Sequence, residues 1–461
     1  VPEVPIVHAR GDLSDQLASH VKHIAKEVGV AFPGHFRDRC IGKHPHVRVS
    51  ASNRSMNLEN ETMPDYQDLP DNISAQSAAV HGGLLRSSHM ENAEAIYMTS
   101  GFVYESAEEA EAAFKGEIDR YVYSRYANPT VSMFEERLRL LEGAEACMGV
   151  GSGMAAVFAA LACQLSAGDR LVASRALFSS CHVIATQILP RYGIETELVD
   201  GADLDAWEAA LSKPAKVVFL ETPSNPTLEI IDLAAVAKLA KGAGACLVVD
   251  NVFATPIFQK PLELGADVVT YSTTKHIDGQ GRSLGGAVLG SADFVEEKLL
   301  PFLRHTGPAL SPFNAWVAVK GLETLELRVR AEADSAAKVA DFLADHPAVA
   351  QSIYPGRNDC PGHEIAARQM SGFGALVSFR LNADKAGCFK ALNALRLIKI
   401  SNNLGDAKSL ICHPDTSTHA KTPQDEKDRL NIGPDLLRLS VGLESADDLI
   451  RDLDQALTAT G

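Results

Sequence analysis

From residue 130 onward, apolar positions recur in two alternating rhythms. Thr130 to Glu142 carries apolar residues at 131, 134, 138 and 141, one face of a 3.6-residue helix, and Gly143 ends it. Ala146 to Val150 predicts a short strand, followed by a glycine cluster and a small-residue helix over Met154 to Leu165. Further strands are predicted at 171–173, 216–220, 246–250 and 268–272, with helices at 205–211 and 233–242 between them. Strand and helix taking turns in this way predict a mostly parallel sheet covered on both faces, whose ligands sit at the carboxyl ends of the strands. After Gly286 the texture changes to long helices over 312–345, then to strands at 375–381 and 436–441, which predicts a smaller α+β C-terminal domain. No internal repeat interrupts this order.

Composition narrows the class. A chain of 461 residues, 46% of them hydrophobic, is long enough for two or three cores. A net charge of −16 argues against a nucleic-acid partner. No run of eighteen apolar residues and no signal-peptide pattern occur, so a cytoplasmic protein with no membrane contact is expected. Eight cysteines (40, 147, 163, 181, 246, 360, 388, 412) lie without a C-x-x-C pair, which predicts buried thiols, no metal site and no disulfide framework. The first fifty-five residues stand apart: they hold eight Lys and Arg against five Asp and Glu, and six of the fifteen histidines. With Met56 and Met63 each preceding a polar, acidic stretch, residues 1–62 read as an extension or a mis-assigned start, and His44 and His46 lack a third metal ligand.

Four chemically informative runs fall at predicted strand ends. Gly149-Val150-Gly151-Ser152-Gly153-Met154-Ala155-Ala156 is a glycine turn that opens a helix, where free backbone N–H groups can hold a phosphate. On its own it also resembles a dinucleotide turn, with Asp169 near the ribose-acid spacing, and small residues there also suit close packing. Glu221-Thr222-Pro223-Ser224-Asn225-Pro226-Thr227 is a proline-stiffened loop offering the Asn225 amide. Asp250 ends an apolar strand, where a carboxylate is costly unless a cation or a helix end partners it. Lys275 follows Ser272, Thr273 and Thr274 at the end of another strand, placing an amine beside hydroxyls suited to a phosphate. Such a lysine can carry a carbonyl cofactor covalently and then act as base. A phosphate cradle, an amide, an acid and a lysine on one sheet edge fit pyridoxal 5′-phosphate (PLP) better than a nicotinamide dinucleotide, which needs no lysine.

The runs Tyr123-Ser124-Arg125-Tyr126-x-Asn128-Pro129-Thr130, Gly151 to Ala155, Glu221 to Pro226, Val249-Asp250-Asn251, Ser272 to Lys275 and Arg438-Leu439-Ser440-Val441-Gly442-Leu443-Glu444 together resemble the Cys/Met-metabolism family of PLP enzymes, in family order across about residues 75 to 458. The resemblance implies a type I (aspartate-aminotransferase-like) α/β fold with a mostly parallel seven-stranded sheet. It divides the chain into residues 63–125, an arm reaching the neighbouring subunit; 126–311, the PLP domain; and 312–461, the C-terminal domain. It also implies a homotetramer whose active sites are shared across a dimer. Lys275 would bind the cofactor and shuttle protons. Asp250 would hold the pyridine nitrogen protonated. Gly153, Met154, Ser272 and Thr274 would hold the phosphate, joined by Tyr123 and Arg125 of the neighbouring copy. Asn225 would meet the phenolic oxygen. Arg438 would clamp the substrate α-carboxylate, beside Asn403.

Departures from the common family pattern select the reaction. Phe178 stands where many members stack a tyrosine on the ring, and Ser180 stands where methionine-degrading members have a cysteine. Gly279-Gln280-Gly281-Arg282 and Asn402-Asn403 are also unusual. These features are most similar to the branch that joins sulfide to an O-succinyl homoserine by γ-replacement, with Arg282 binding the distal carboxylate. Use of the O-acetyl ester, of cysteine as nucleophile, or γ-elimination from methionine are the neighbouring possibilities.

Overall fold

In the computed structural model, which describes Tyr66, residues 69–70 and residues 73–458, seven strands form the main sheet. These are β1 (Ala146–Val150), β2 (Arg170–Ser174), β3 (Glu195–Val199), β4 (Val217–Glu221), β5 (Cys246–Asp250), β6 (Val268–Ser272) and β7 (Gly286–Gly290), in the order β1-β7-β6-β5-β4-β2-β3. Only β7 runs against the rest, pairing antiparallel with β1 and β6. The central strands are buried on both faces, which is why they read as continuous apolar runs. Alternate side chains go to opposite layers. Phe219, Val248 and Val268 pack with Val157 and Ala160 of the helix Gly153–Ala162, whereas Val218, Leu220, Leu247 and Val249 pack with Trp207, Val236 and Ala240.

The helix Pro129–Glu142 starts where Asn128 accepts the Thr130 N–H at 2.9 Å and stops at Gly143, whose φ of 82° favours glycine. Its Arg137 is fully buried and pairs with Glu94 at 2.8 Å, fastening the preceding segment to the sheet. The predicted helix over 154–165 instead runs Gly153–Ala162, because Ser152 caps it by accepting from Ala155 N. The edge strand β3 and the glycine-bounded β7 were not anticipated: Glu-Thr-Glu-Leu-Val is half polar, and Gly-Ala-Val-Leu-Gly lacks bulk at its ends.

A second sheet follows the order β10-β11-β12-β9-β8, from β8 (Val349–Ile353), β9 (Leu376–Leu381), β10 (Lys399–Ile400), β11 (Leu410–Cys412) and β12 (Leu436–Ser440). It packs through Val377, Phe379, Leu437 and Leu439 on the helices Leu325–Asp345 and Ala446–Thr458. The helix at the expected domain boundary, Pro312–Leu322, lies on the main sheet's side, with Ala315, Ala318 and Leu322 in one cluster with Phe134 and Tyr271. The 21-residue helix Leu325–Asp345 serves both cores. Its buried Arg328 reaches the turn after Lys275, donating to His276 O at 2.8 Å and Gly321 O at 2.8 Å. Gly279, at a φ of 66°, makes room beneath it: a Cβ there would lie 1.8 Å from a guanidinium nitrogen and displace it. The histidines and methionines singled out before residue 64 lie outside the described residues.

Candidate active site

The carboxyl ends of β4, β5 and β6 are adjacent, and each delivers one predicted residue. After β4 the loop 222–229 is pinned by Gln259 Nε2 donating to Thr222 O at 2.9 Å and by Ser224 N donating to Glu229 O at 3.0 Å. The Thr222–Pro223 and Asn225–Pro226 peptide bonds are cis. Asn225, 6% exposed, accepts on Oδ1 from Arg438 Nη1 at 2.9 Å. That bond fixes the amide so that its NH2 group is left for a ligand oxygen. At the end of β5, Asp250 accepts from Val252 N at 3.1 Å, and burial pushes its carboxyl up to about 6. A buried carboxyl in this state gains most from a cationic partner such as a protonated ring nitrogen.

Beyond β6 the chain enters a π-helical turn, Thr273–Ile277, in which Lys275 departs from helical dihedrals (φ −98°, ψ −131°). Its Nζ donates to Asn403 Oδ1 at 2.7 Å. Burial first, and Arg438 second, hold the amine down at about 8. Ser272 abuts the glycine turn so closely that a Cβ on Gly153 would lie 2.6 Å from Ser272 Cβ. Thr274 Oγ1 accepts from Gly285 N at 3.3 Å. The first N–H groups of the helix Gly153–Ala162, from Gly153 and Met154, are thus carried beside two hydroxyls, which suits a phosphate.

Arg438 comes from the other sheet, on β12. It is 1% exposed, and its Nη2 donates to the carbonyls of Asn402 and Asn403 at 3.0 and 3.2 Å. Its buried Nε has no hydrogen-bond partner among the described residues. An unsatisfied buried guanidinium edge is what a substrate carboxylate would complete. Phe178 sits at the β2 end, its N–H donating to Glu221 Oε2 at 2.8 Å.

Three predicted residues stay outside this cluster in the single chain. The Arg125 guanidinium lies over Tyr126, 4.8 Å from the ring centroid, and donates to Arg304 O, while Tyr123 is 42% exposed. Arg282 is occupied by Asp278, with Nε to Oδ1 at 2.7 Å and Nη2 to the carbonyl at 3.1 Å, leaving Nη1 without a partner among the described residues. Two contacts escaped the sequence reading: Asn403 as the partner of the lysine, and Glu221 as the anchor of Phe178. The only available signal was the acidic residue that opens the proline loop.

These residues fit PLP: a close-packed glycine turn for phosphate, a buried acid for the ring nitrogen and a depressed lysine for the aldehyde. The model for Cys/Met metabolism PLP-dependent enzymes matches residues 76–458. The chain is 55% identical over 394 residues to the O-succinylhomoserine sulfhydrylase of Mycobacterium tuberculosis, covering 85% of this chain and 97% of that protein. It is 45% identical to the O-succinylhomoserine sulfhydrylase of Pseudomonas aeruginosa, covering 83% and 94% respectively. Among solved structures, cystathionine gamma synthase from Xanthomonas oryzae pv. oryzae in complex with aminoacrylate and cysteine matches with a TM-score of 0.81 at 34% identity, covering 84% of this chain and 98% of that one. Motif order, site geometry and these likenesses agree: the chain belongs to the Cys/Met-metabolism family of PLP-dependent enzymes.

Proposed function

We propose that this chain catalyses γ-replacement, converting O-succinylhomoserine and sulfide to homocysteine and succinate, a step of methionine synthesis by direct sulfhydrylation. The observation that carries the reading is that Lys275, Asn225 and Arg438, whose buried Nε has no partner among the described residues, are linked through Asn403 and Asn225 beside the strand ends that carry Asp250. Relatives named as sulfhydrylases at 55% and 45% identity support the substrate choice.

PLP, when bound, supplies an electron sink that lets bonds at the α- and β-carbons of an amino acid break heterolytically. Gly153, Met154, Ser272 and Thr274 would hold its phosphate, Asn225 its phenolic oxygen, Asp250 its ring nitrogen and Phe178 its face. Arg438 orients the amino acid by its α-carboxylate. Lys275 Nζ would take the α-proton and then help remove one from the β-carbon. Asn403 receives an N–H of the same amine and limits its swing. The γ-C–O bond would break and succinate leave, the γ-C–S bond form from sulfide, and protons return to the β- and α-carbons, giving homocysteine. With Phe178 lacking a hydroxyl, the proton for the leaving carboxylate comes from Lys275, Tyr123 or water.

Tyr123 and Arg125 act on the phosphate of a neighbouring copy in a homotetramer built from dimers. Exposed apolar residues Met98, Val103 and Phe114 in the same arm favour such burial. A cytoplasmic location is part of this proposal. Among the described residues no helix is long and apolar enough to cross a membrane. A product assay with O-succinyl- or O-acetyl-homoserine and sulfide or cysteine tests the reading. Homocysteine with succinyl ester and sulfide as the best pair is expected. Preferential cystathionine formation, or 2-oxobutyrate from methionine, would overturn it.

A further inference from the structure

Glu221 is the last residue of β4, the strand lying between β5, which ends in Asp250, and β2, which leads to Phe178. It is 4% exposed and pairs in register with Asp250 across the ladder. Its Oε2 accepts the Phe178 N–H at 2.8 Å, and the N–H of Asn225 also acts on the same carboxyl. The helix that Phe178 opens, Ser179–Val183, has no side-chain cap of its own. A tyrosine at this position could be located by its hydroxyl. A phenylalanine can be located only through packing and its backbone, and the backbone acceptor here is Glu221.

Resting on the PLP reading above, we propose that Glu221 is a positioning residue that holds the Phe178 ring over the cofactor face by accepting the Phe178 backbone N–H. Burial and the neighbouring Asp250 push its carboxyl above the usual carboxylate range, against the opposing pull of the Phe178 and Asn225 N–H groups and of Arg438. Glutamine keeps the shape and an oxygen acceptor but carries no charge, so it separates a hydrogen-bonding role from a charge role.

The test uses holoenzyme carrying Glu221→Gln, Glu221→Ala, Phe178→Ala and the Glu221→Ala/Phe178→Ala pair. Readouts are the visible circular dichroism of the cofactor band, cofactor affinity, kcat and KM, with thermal midpoints as a folding control. Glu221→Gln is expected to keep the dichroic band and kcat. Glu221→Ala is expected to weaken the band and lower kcat roughly ten- to a hundredfold, the usual cost of a small misplacement. In the double variant the two losses should not add, because one acts through the other. An unchanged band in Glu221→Ala, equal losses in the Gln and Ala variants, or full additivity would each overturn the proposal. If Glu221→Ala does not fold, Glu221→Asp, which retracts the acceptor, replaces it with the same expected losses. A wild-type protein with no cofactor band would instead refute the PLP reading and leave the Glu221–Phe178 bond itself intact.

Discussion

Titrating the cofactor-free protein through neutral and alkaline pH should reveal Lys275 as an amine unlike the surface lysines. Burial, then Arg438, hold it at about 8 against an ordinary 10.5. At pH 7 these values give a neutral fraction of about one in ten rather than about one in three thousand, so roughly 300-fold more amine is ready to react. The folded chain binds this proton more weakly than the unfolded one. The shift therefore costs stability below pH 8, and the cost fades as pH rises toward 10.5. Brief acetylation from pH 6 to 11, read by peptide mass spectrometry and normalised to an exposed lysine such as Lys238, measures the midpoint directly. Arg438→Gln should move that midpoint upward but not all the way to 10.5, because burial, the larger cause, remains. A wild-type midpoint at 10 or above, or one that falls when Arg438 is neutralised, would refute the reasoning.

Arg438→Ala should raise KM for the amino-acid substrate about 10- to 150-fold, the value of a buried bond to a charged group, and Arg438→Lys should recover little because the fork is lost. Steady-state kinetics with the ester varied decide this. Arg282→Ala should impair turnover of the succinyl ester about tenfold more than the acetyl one if Nη1 meets the distal carboxylate; equal losses would assign Arg282 to the loop alone. Tyr271→Phe removes the donor to Glu142 Oε2 at 2.5 Å and the acceptor for Asn251 Nδ2 at 2.6 Å, and should cost about 1–3 kcal/mol in urea unfolding. Since burial already lifts Glu142 to about 7, that loss should grow as pH rises past neutrality and its charge goes unpaired.

Much of this architecture is visible in the order of residues because buried parallel strands leave uninterrupted apolar runs, and chemistry placed at their ends leaves polar punctuation. Lys275, Asp250 and Asn225 could be found that way. Strand β3 could not, because an edge strand tolerates Glu195 facing water and Glu197 paired with Arg170 of β2. Asn403 could be assigned to the site from its motif but not to the lysine, since 128 residues separate them and only the packing of two sheets brings them within 2.7 Å. Arg282 shows the converse difficulty. A cation near a site reads as a ligand for substrate, while Asp278, four residues earlier in the same turn, is the partner the fold supplies. Glu221 stayed hidden because its contact is to a backbone N–H 43 residues away, which no side-chain pattern encodes.

The reach of Arg328 into the turn after Lys275 bears on how this protein comes apart. The amides of Asp278 and Gly279 bond back to Thr273 O and Lys275 O, and the guanidinium overhead closes the same turn from a helix that serves both cores. That turn has no way to open by itself: releasing it means withdrawing a buried cation and loosening both hydrophobic layers together. The amides of the lysine's hinge are therefore expected to exchange slowly with solvent, leaving the lysine's own side-chain torsions as the freedom a proton shuttle uses.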